Sequence, residues 1–430
     1  MLDNNSGDIE IIYGIDSNPG FLKSIPLALQ HILAMFAANI TVPLLLSGAI
    51  GLTSKETTFL IQSALFMAGL ATLIQIRKKG DFGSGLPIVM GTSNAFIATV
   101  LAIGKEFGIS VVLGASLVGG LFEMFLGFNL SKLKKVFTPL VSGIVILTIG
   151  ITLIPVGIRQ AAGGSNLGDS NSLILSSIVL LTIIIFNQYG NKYFKSSSIL
   201  IGLVVGYIVS YFMGNLDLNV VYNASWFSFP KPLAFKLSFE PSAIIAMIFM
   251  YIATAIETIG DISALTSASE GREARVEEVK GGVMADGLAS SIGAFFNAFP
   301  NTSYTQNVGV VNLTGVFSRH VVKIGAFILL IFSLLPKLGA VISIMPEPVL
   351  GGASIAMFSM VVVSGLSILK NVSYTRKNML IIAISLGIGI GLNVVPEAVS
   401  SLPNNFQLFL TSGVVPASII SIVLSYVLPE

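Results

Sequence analysis

Long apolar segments occupy most of this chain and leave only short polar connections between them. A helix needs about 20 consecutive apolar residues to span the hydrocarbon core of a bilayer, and such segments recur throughout the 430 residues. Only 10% of the residues are charged, whereas soluble domains contain about 25%. The pattern predicts an all-α polytopic membrane protein, in contact with lipid and without a soluble domain.

Fourteen membrane segments are predicted, two of them unusual. They are centred near 25–47, 57–76, 84–103, 109–128, 137–156, 172–188, 196–214, 242–265, 281–299, 300–315, 320–340, 346–368, 376–395 and 406–428. The third and tenth are too short or too polar for ordinary spans, so each is predicted to be a short β-strand followed by a half-helix. With the N-terminus inside, 17 of the 23 basic residues lie on the inner side, as the positive-inside rule requires. Both termini are therefore predicted to be cytoplasmic.

The two halves of the chain carry corresponding proline motifs. Pro87 precedes the polar run MGTSN as Pro300 precedes NTSYTQN, and Pro139 is echoed by Pro348. Interrupted segments at corresponding positions of two halves indicate an inverted repeat with a binding site between them, here seven segments plus seven. Lipid cannot satisfy the backbone of the extended pieces, so we expect them to pair with each other. A new helix is predicted to begin near Thr305.

Acidic residues inside apolar segments are costly and mark functional sites by default. Glu257 and Asp261 are four residues apart, so they share one helix face. Two buried carboxylates repel each other and lose hydration, which favours a proton on at least one of them. Such a group can take up a proton on one side of the membrane and release it on the other. Asp286 is a third candidate, and Glu123 is a fourth acid for which we predict no role.

The stretch FPNTSYTQNVGVVNLTG (299–315) contains a recognisable pattern: Gln306, Asn307, Gly309, Thr314 and Gly315. It resembles the signature of the nucleobase–ascorbate transporter family, which reads Gln, Glu or Pro, then Asn, any residue, Gly, four of any kind, Thr, and Arg, Lys or Gly. The resemblance covers essentially the whole chain. Gly315, where many members have Arg or Lys, is the variant of bacterial xanthine carriers.

The resemblance implies roles for the intramembrane acids. Glu257-Thr258-Ile259-Gly260-Asp261 looks like the acidic motif of the family's eighth segment, whose first acid binds the nucleobase directly and whose last lies close to it. Asp286 resembles the essential acid of the ninth segment, which organises the site and is linked to proton coupling. His31, in a Gln-His pair typical of the family, is expected to stabilise the site by hydrogen bonds. Proton coupling is therefore predicted at Glu257, Asp286 and His31.

The two interrupted segments supply the other predicted substrate contacts. These are Ser93, Asn94, Phe96, Tyr304, Thr305, Gln306 and Asn307. The amide of Gln306 offers a donor and an acceptor together, which suits the mixed edge of an oxopurine. Phe96 and Tyr304 are candidates for stacking on the heterocycle, although aromatic rings in membrane helices usually pack against neighbours.

The family resemblance also implies a division of the chain. Residues 1–24 form a cytoplasmic tail, 25–135 and 242–340 a core domain, 136–214 and 341–430 a gate domain, and 215–241 an extracellular connection. Movement of the core against the gate would carry substrate across in the manner of an elevator. The implied assembly is a homodimer in the inner membrane of a bacterial cell.

A proton-coupled purine permease, with xanthine favoured, is the function that the sequence predicts. Uric acid, uracil and other nucleobases remain alternatives. An inorganic-anion carrier of related fold is disfavoured because no lysine or arginine lies centrally. A membrane enzyme would need a catalytic group or metal cluster, and a channel would need rings of filter residues; neither pattern is found. With no cysteine and two histidines, no metal site or cofactor is predicted, and no nucleic-acid partner.

Overall fold

A computed structural model describes residues 11–77, 80–130, 138–164, 167–191, 194–195, 197–370 and 372–429. Helices dominate these residues. The first half contains α1 (Phe21–Ile50), α2 (Ser54–Gln75), β1 (Met90–Thr92), a 3₁₀ turn (Asn94–Phe96), α3 (Ile97–Phe107), α4 (Ile109–Phe128), α5 (Pro139–Ala161), α6 (Ser170–Tyr189) and α7 (Ser198–Phe212). A short helix, α8 (Asn219–Asn223), lies in the connection to the second half.

The second half also contains long helices and one strand followed by a short helix. It contains α9 (Pro241–Glu270), α10 (Val276–Phe295), β2 (Asn301–Ser303), α11 (Thr305–Thr314), α12 (Arg319–Ser333), α13 (Pro336–Ser343), α14 (Glu347–Leu369), α15 (Arg376–Val394), a 3₁₀ turn (Pro396–Val399), α16 (Asn404–Leu410) and α17 (Val414–Val427). Helix α11 begins at Thr305, as the sequence predicts.

Eight of the described helices are long and apolar enough to cross a membrane, or nine if α12 and α13 form one span. The predicted number of fourteen segments is larger because it also includes helices that are too short to meet this length criterion. Fourteen segments stay a prediction. Two predicted spans are not straight. The eleventh is bent by 82° between α12 and α13, where Pro336 begins the second helix. The fourteenth is divided between α16 and α17, where Gly413 adopts a left-handed φ of 75°.

Strands β1 and β2 form an antiparallel pair in which Met90 is opposite Ser303. The pairing extends beyond the strands, because Ser93 N donates to Pro300 O at 2.8 Å. All six strand residues are buried. The predicted pairing of the two extended pieces is therefore confirmed. It satisfies backbone groups that an apolar environment would leave without partners, and it places the starts of two short helices side by side.

Glycines allow α4 and α10 to approach at backbone distance. A Cβ atom added to Gly120 would lie 2.7 Å from Gly287 O, and one added to Gly287 would lie 2.4 Å from Gly120 O. A second close pair is formed by α5 and α14, where a Cβ atom on Gly150 would lie 2.6 Å from Val362 N. Small residues at helix contacts are typical of packing within a membrane, where close van der Waals contact replaces the hydrophobic effect.

The segment before α1 pairs with the turn that follows α11. Tyr13 and Val316 form a parallel bridge, and Phe317 N donates to Tyr13 O at 2.7 Å. An ion pair joins Arg319 to Asp16. These contacts fix the C-terminal end of α11, at Thr314 and Gly315, whereas Gln306 and Asn307 lie at its N-terminal end. The sequence analysis predicted a tail here but did not foresee this pairing.

Candidate functional site

The paired strands bring the predicted site residues together against one face of α9. The 3₁₀ turn that begins at Asn94 and the first turn of α11 both contact α9, the helix that carries Glu257 and Asp261. Asp286 reaches the same region from α10, which packs against β2. The site is thus built where two broken segments and two continuous helices meet.

Hydroxyl groups tie two of the acids to strand β2. Thr258 Oγ1 is hydrogen-bonded to Asp286 Oδ2, and it lies 3.2 Å from Thr302 Oγ1 and 3.1 Å from Ser303 Oγ. Ser303 Oγ donates to Asp261 Oδ2 at 2.7 Å. All five side chains are buried. Asp261 and Asp286 therefore belong to one polar network, and the sequence analysis missed its three hydroxyl members.

Glu257 stands apart from that network. Its Oε2 atom is buried and, like Asn94 Oδ1 and Thr305 Oγ1, has no hydrogen-bond partner among the described residues. Gln306 is half-buried, and its side chain makes no hydrogen bond within the described part of the chain. Buried polar groups in proteins are normally paired. These four predicted residues thus carry unused hydrogen-bonding capacity at the point where both short helices begin.

Asn307 is used within the protein. Its Oδ1 accepts a hydrogen bond from Val89 N at 3.2 Å, and its Nδ2 lies 2.7 Å from His31 Nδ1. With Oδ1 assigned to the backbone N–H, the amide nitrogen faces the ring and can only donate, so His31 Nδ1 accepts and its ring is neutral. Asn307 and His31 are fully buried. They act here as a brace that joins α1, β1 and α11; substrate contact by Asn307 and proton coupling by His31 stay predictions.

The two aromatic candidates pack within the protein. Phe96 is fully buried and meets Tyr251 edge to face, with ring centroids 4.7 Å apart. The Tyr304 hydroxyl donates to Thr92 O at 2.6 Å. Both rings therefore have a structural role, and their stacking on a substrate stays a prediction. Ser93 Oγ is buried without a partner among the described residues.

Asn39 is a further buried residue that the sequence analysis did not single out. Its Oδ1 accepts a hydrogen bond from Thr92 N at 2.7 Å, and Thr92 is the last paired residue of β1. The available signal was an asparagine in the middle of an apolar helix, where a polar group requires a partner. Asn39 and the Asn307 brace thus hold β1 from both sides.

A cavity of about 820 Å³ extends along α9 toward the connection between α9 and α10. Ile259 and Gly260 line it on one side, and Ser142 of α5 and Ile368 of α14 on the other. Gly309 on α11 is exposed and has no neighbour that an added Cβ atom would meet. The cavity therefore lies between α9 and the α5–α14 pair, and it reaches Gly260, the residue before Asp261. Among the described residues, no group of three or more His, Asp or Glu could hold a metal ion.

The family profile described as "Permease family" (Xan_ur_permease) matches residues 22–398. The chain belongs to this family, the nucleobase–ascorbate transporter family. Its members are permeases and not enzymes. The chain is 38% identical to the xanthine permease of Bacillus subtilis (strain 168) over 95% of this chain and 94% of that protein. It is 37% identical to the uric acid permease PucK of the same organism, over 94% of this chain and 95% of that protein.

Solved structures with the same fold include a transporter of a different substrate class. The transmembrane domain of a cyanobacterium bicarbonate transporter, BicA, matches with a TM-score of 0.57 over 96% of this chain and 99% of that domain. Only 15% of the residues are identical, so the likeness shows a membrane-transporter fold alone. The family and its apolar helices together make this chain a multi-pass membrane protein and a nucleobase transporter of bacterial type.

Proposed function

We propose that the chain imports a purine nucleobase, with xanthine favoured, by proton symport. The observation that carries the proposal is the set of unpaired polar atoms at the two short-helix starts, on Glu257, Asn94 and Thr305, beside the unbonded amide of Gln306. Xanthine presents alternating N–H and C=O groups on a flat ring. A carboxylate accepts from its N–H groups, and an amide pairs with one donor and one acceptor.

The remaining predicted residues would position these contacts. Asp261 would hold the start of α11 through Ser303, and Asp286 would hold the same strand through Thr258. Ser93, Phe96, Tyr304 and Asn307 complete the proposed substrate shell. Glu257, Asp286 and His31 are the proposed proton-coupling residues. A proton that enters this buried set reduces its negative charge, which would link substrate binding to protonation.

An inverted seven-plus-seven repeat explains which helices pack closely. Under that repeat the fourth segment corresponds to the eleventh, the ninth to the second, and the fifth to the twelfth. Helix α4 packs against α10 as α12 packs against α2, and α5 packs against α14. The observed pairs thus map onto one another, which supports fourteen segments.

The proposed core (25–135 and 242–340) and gate (136–214 and 341–430) meet at the cavity. An elevator-like movement of the core along the α5–α14 surface would open the site on alternate sides. We further propose a homodimer in the inner membrane, with residues 1–24 and the C-terminus in the cytoplasm and residues 215–241 outside.

Uptake of labelled xanthine by cells that express the protein tests the proposal directly. Competition with uric acid, hypoxanthine, guanine and uracil ranks the substrates, and a protonophore removes the proton gradient. We expect xanthine to compete best and uptake to collapse with the protonophore. Uptake that survives the protonophore and follows a sodium gradient would contradict proton symport.

The specificity of Gln306 can be tested by Gln306→Glu. A carboxylate cannot donate where the amide does unless it is protonated, so xanthine should bind less tightly. A buried group left without its partner costs about 1–3 kcal/mol, roughly ten- to a hundredfold in affinity. Isothermal titration with the purified protein measures the change. An unchanged affinity would remove Gln306 from the proposed contacts.

A carrier of uric acid is the second candidate, because the uric acid permease PucK is nearly as similar as the xanthine permease. An anion carrier, the function named for BicA, fits the site less well. Its acids, Glu257, Asp261 and Asp286, are buried, and no ion pair of the described residues involves them. Uncompensated acids disfavour a second negative charge.

A further inference from the structure

A continuous chain of side-chain oxygens connects Asp286 on α10 to Asp261 on α9. Asp286 Oδ2 contacts Thr258 Oγ1, which lies 3.1 Å from Ser303 Oγ. Ser303 Oγ lies 2.7 Å from Asp261 Oδ2. Thr302 Oγ1 makes a fourth contact, 3.2 Å from Thr258 Oγ1. Each separation falls within or close to the range of O–H···O hydrogen bonds.

These four contacts require four hydrogens, and the three hydroxyls supply only three. If Asp286 and Asp261 are both ionised, one pair of oxygens has no hydrogen between them. One carboxylic proton removes the deficit. When this proton is on Asp286, Asp286 donates to Thr258, Thr258 donates to Ser303, and Ser303 donates to Asp261. When the proton is on Asp261, Asp261 donates to Ser303, Ser303 donates to Thr258, and Thr258 donates to Asp286. In both states Thr302 donates to Thr258.

We propose that Thr258 and Ser303 relay one proton between Asp286 and Asp261 during transport. As the proton of Asp286 bonds to Thr258 Oγ, the hydrogen of Thr258 bonds to Ser303 Oγ and the hydrogen of Ser303 bonds to Asp261. Each oxygen that gains an O–H bond loses another, and the total charge is unchanged. Both acids are buried, and Asp261 follows Gly260, which lines the cavity, so the relay connects an acid on α10 to one next to the cavity wall on α9.

Other titratable groups surround this relay. Glu257 and Tyr251 on α9 and Glu123 on α4 interact electrostatically with its acids or with one another. Glu123 Oε1 accepts a hydrogen bond from Thr254 at 3.2 Å and is outside the relay. No lysine or arginine among the described residues forms an ion pair with any of these acids. A charge on any of them therefore favours protonation of the relay.

The relay rests on the proposed proton symport, and two assays in proteoliposomes separate them. Net xanthine uptake driven by a pH gradient requires proton movement, whereas xanthine exchange at equal pH can proceed without net proton movement. Thr258→Val and Ser303→Ala remove the relaying hydroxyls, and Thr258→Ser restores one. Thr266→Val is the matched control, because this buried hydroxyl on the same helix bonds only to the carbonyls of Ile262 and Ser263.

We expect Thr258→Val and Ser303→Ala to lower gradient-driven uptake by at least about tenfold more than they lower exchange, a modest share of what positioned proton transfer contributes. Both assays lose the hold of these hydroxyls on β2, but only gradient-driven uptake needs the relay. Thr258→Ser and Thr266→Val should behave as the wild type in both assays. If Thr258→Val cannot be purified, Ser303→Ala decides, because it interrupts the other end of the relay.

Two results in the variants would overturn the relay and leave proton symport standing. Gradient-driven uptake at the wild-type rate and with the wild-type pH profile in Ser303→Ala would show that the proton does not pass this way. An equal loss of exchange and of uptake would show that the hydroxyls only hold the site and do not carry the proton. A wild-type protein that exchanges xanthine but ignores the pH gradient would instead refute proton symport and the relay with it. Absence of both activities in the wild type would refute xanthine transport and the relay that rests on it.

Discussion

The brace formed by Asn307 and His31 yields a quantitative prediction. Asn307→Leu keeps the approximate size of the side chain but leaves two buried polar groups, Val89 N and His31 Nδ1, without the partners they have now. Each unsatisfied buried group costs about 1–3 kcal/mol, so the free energy of unfolding should fall by about 2–6 kcal/mol. His31→Leu leaves only the Asn307 amide nitrogen unpaired and should cost about 1–3 kcal/mol.

The double variant isolates the contact between the two side chains. Either single variant loses the Asn307–His31 hydrogen bond and leaves a nitrogen unpaired on the other side chain. The double variant leaves no unpaired nitrogen at that contact. Its loss in free energy of unfolding should therefore be smaller than the sum of the losses in the two single variants. The loss is measured as the apparent melting temperature of the purified protein in detergent. Additive losses would refute the brace.

Gln306→Leu is the matched control for this series. Gln306 is the neighbouring amide, is half-buried, and makes no hydrogen bond to any described residue. Its replacement should leave the melting temperature close to that of the wild type and abolish high-affinity xanthine uptake. A large loss of stability in Gln306→Leu would mean that Gln306, like Asn307, stabilises the fold, and would contradict its assignment as a substrate contact only.

Two further predictions concern access and pH. Single cysteines in place of Asn94, which is half-buried at the start of the 3₁₀ turn, and of Gly309, which is exposed on α11, should be protected by xanthine from a small thiol reagent, whereas one in place of Ser172 on α6 should not; protection at Ser172 would place the site elsewhere. Hydrogen bonds from the Thr53 side chain and backbone lower the pKa of Glu56, so its contribution to stability is present at neutral pH and is lost as the pH falls through that lowered pKa. Glu56→Gln should therefore melt below the wild type at neutral pH, with the difference closing in acid; a difference that does not depend on pH would contradict this.

Local chemistry predicted those parts of the fold that depend on nearby residues. Pro300 and the polar run after it predicted an extended piece and a new helix at Thr305, because proline removes a backbone donor and breaks the preceding helix. The pairing of the two extended pieces followed from the need of buried backbone groups for partners. The bend before Pro336 was not predicted, since its apolar surroundings resemble an uninterrupted span.

The polar network was harder to predict because its members are distant in sequence and do not recur at a regular spacing. Thr258 meets Asp286, 28 residues away, and Ser303, 45 residues away. Hydroxyl side chains in membrane helices commonly bond to carbonyls of their own helix, as Thr266 does here. Thr258 lies inside the acidic motif Glu257–Asp261, but the motif does not show that its hydroxyl bonds across to another helix.

Some polar side chains of the site are hydrogen-bonded within the protein and others are not, and this difference relates the fold to the proposed activity. Asp261, Asp286 and Asn307 have partners within the protein, and each fixes a strand or a short helix. Glu257 keeps an oxygen without a partner at the same level. A site whose acids were all paired would be rigid but could not bind a base, and one whose acids were all unpaired would bear several uncompensated charges. Separating the two roles lets a rigid framework present a few free groups to a flat polar ring, which is the condition for selective binding.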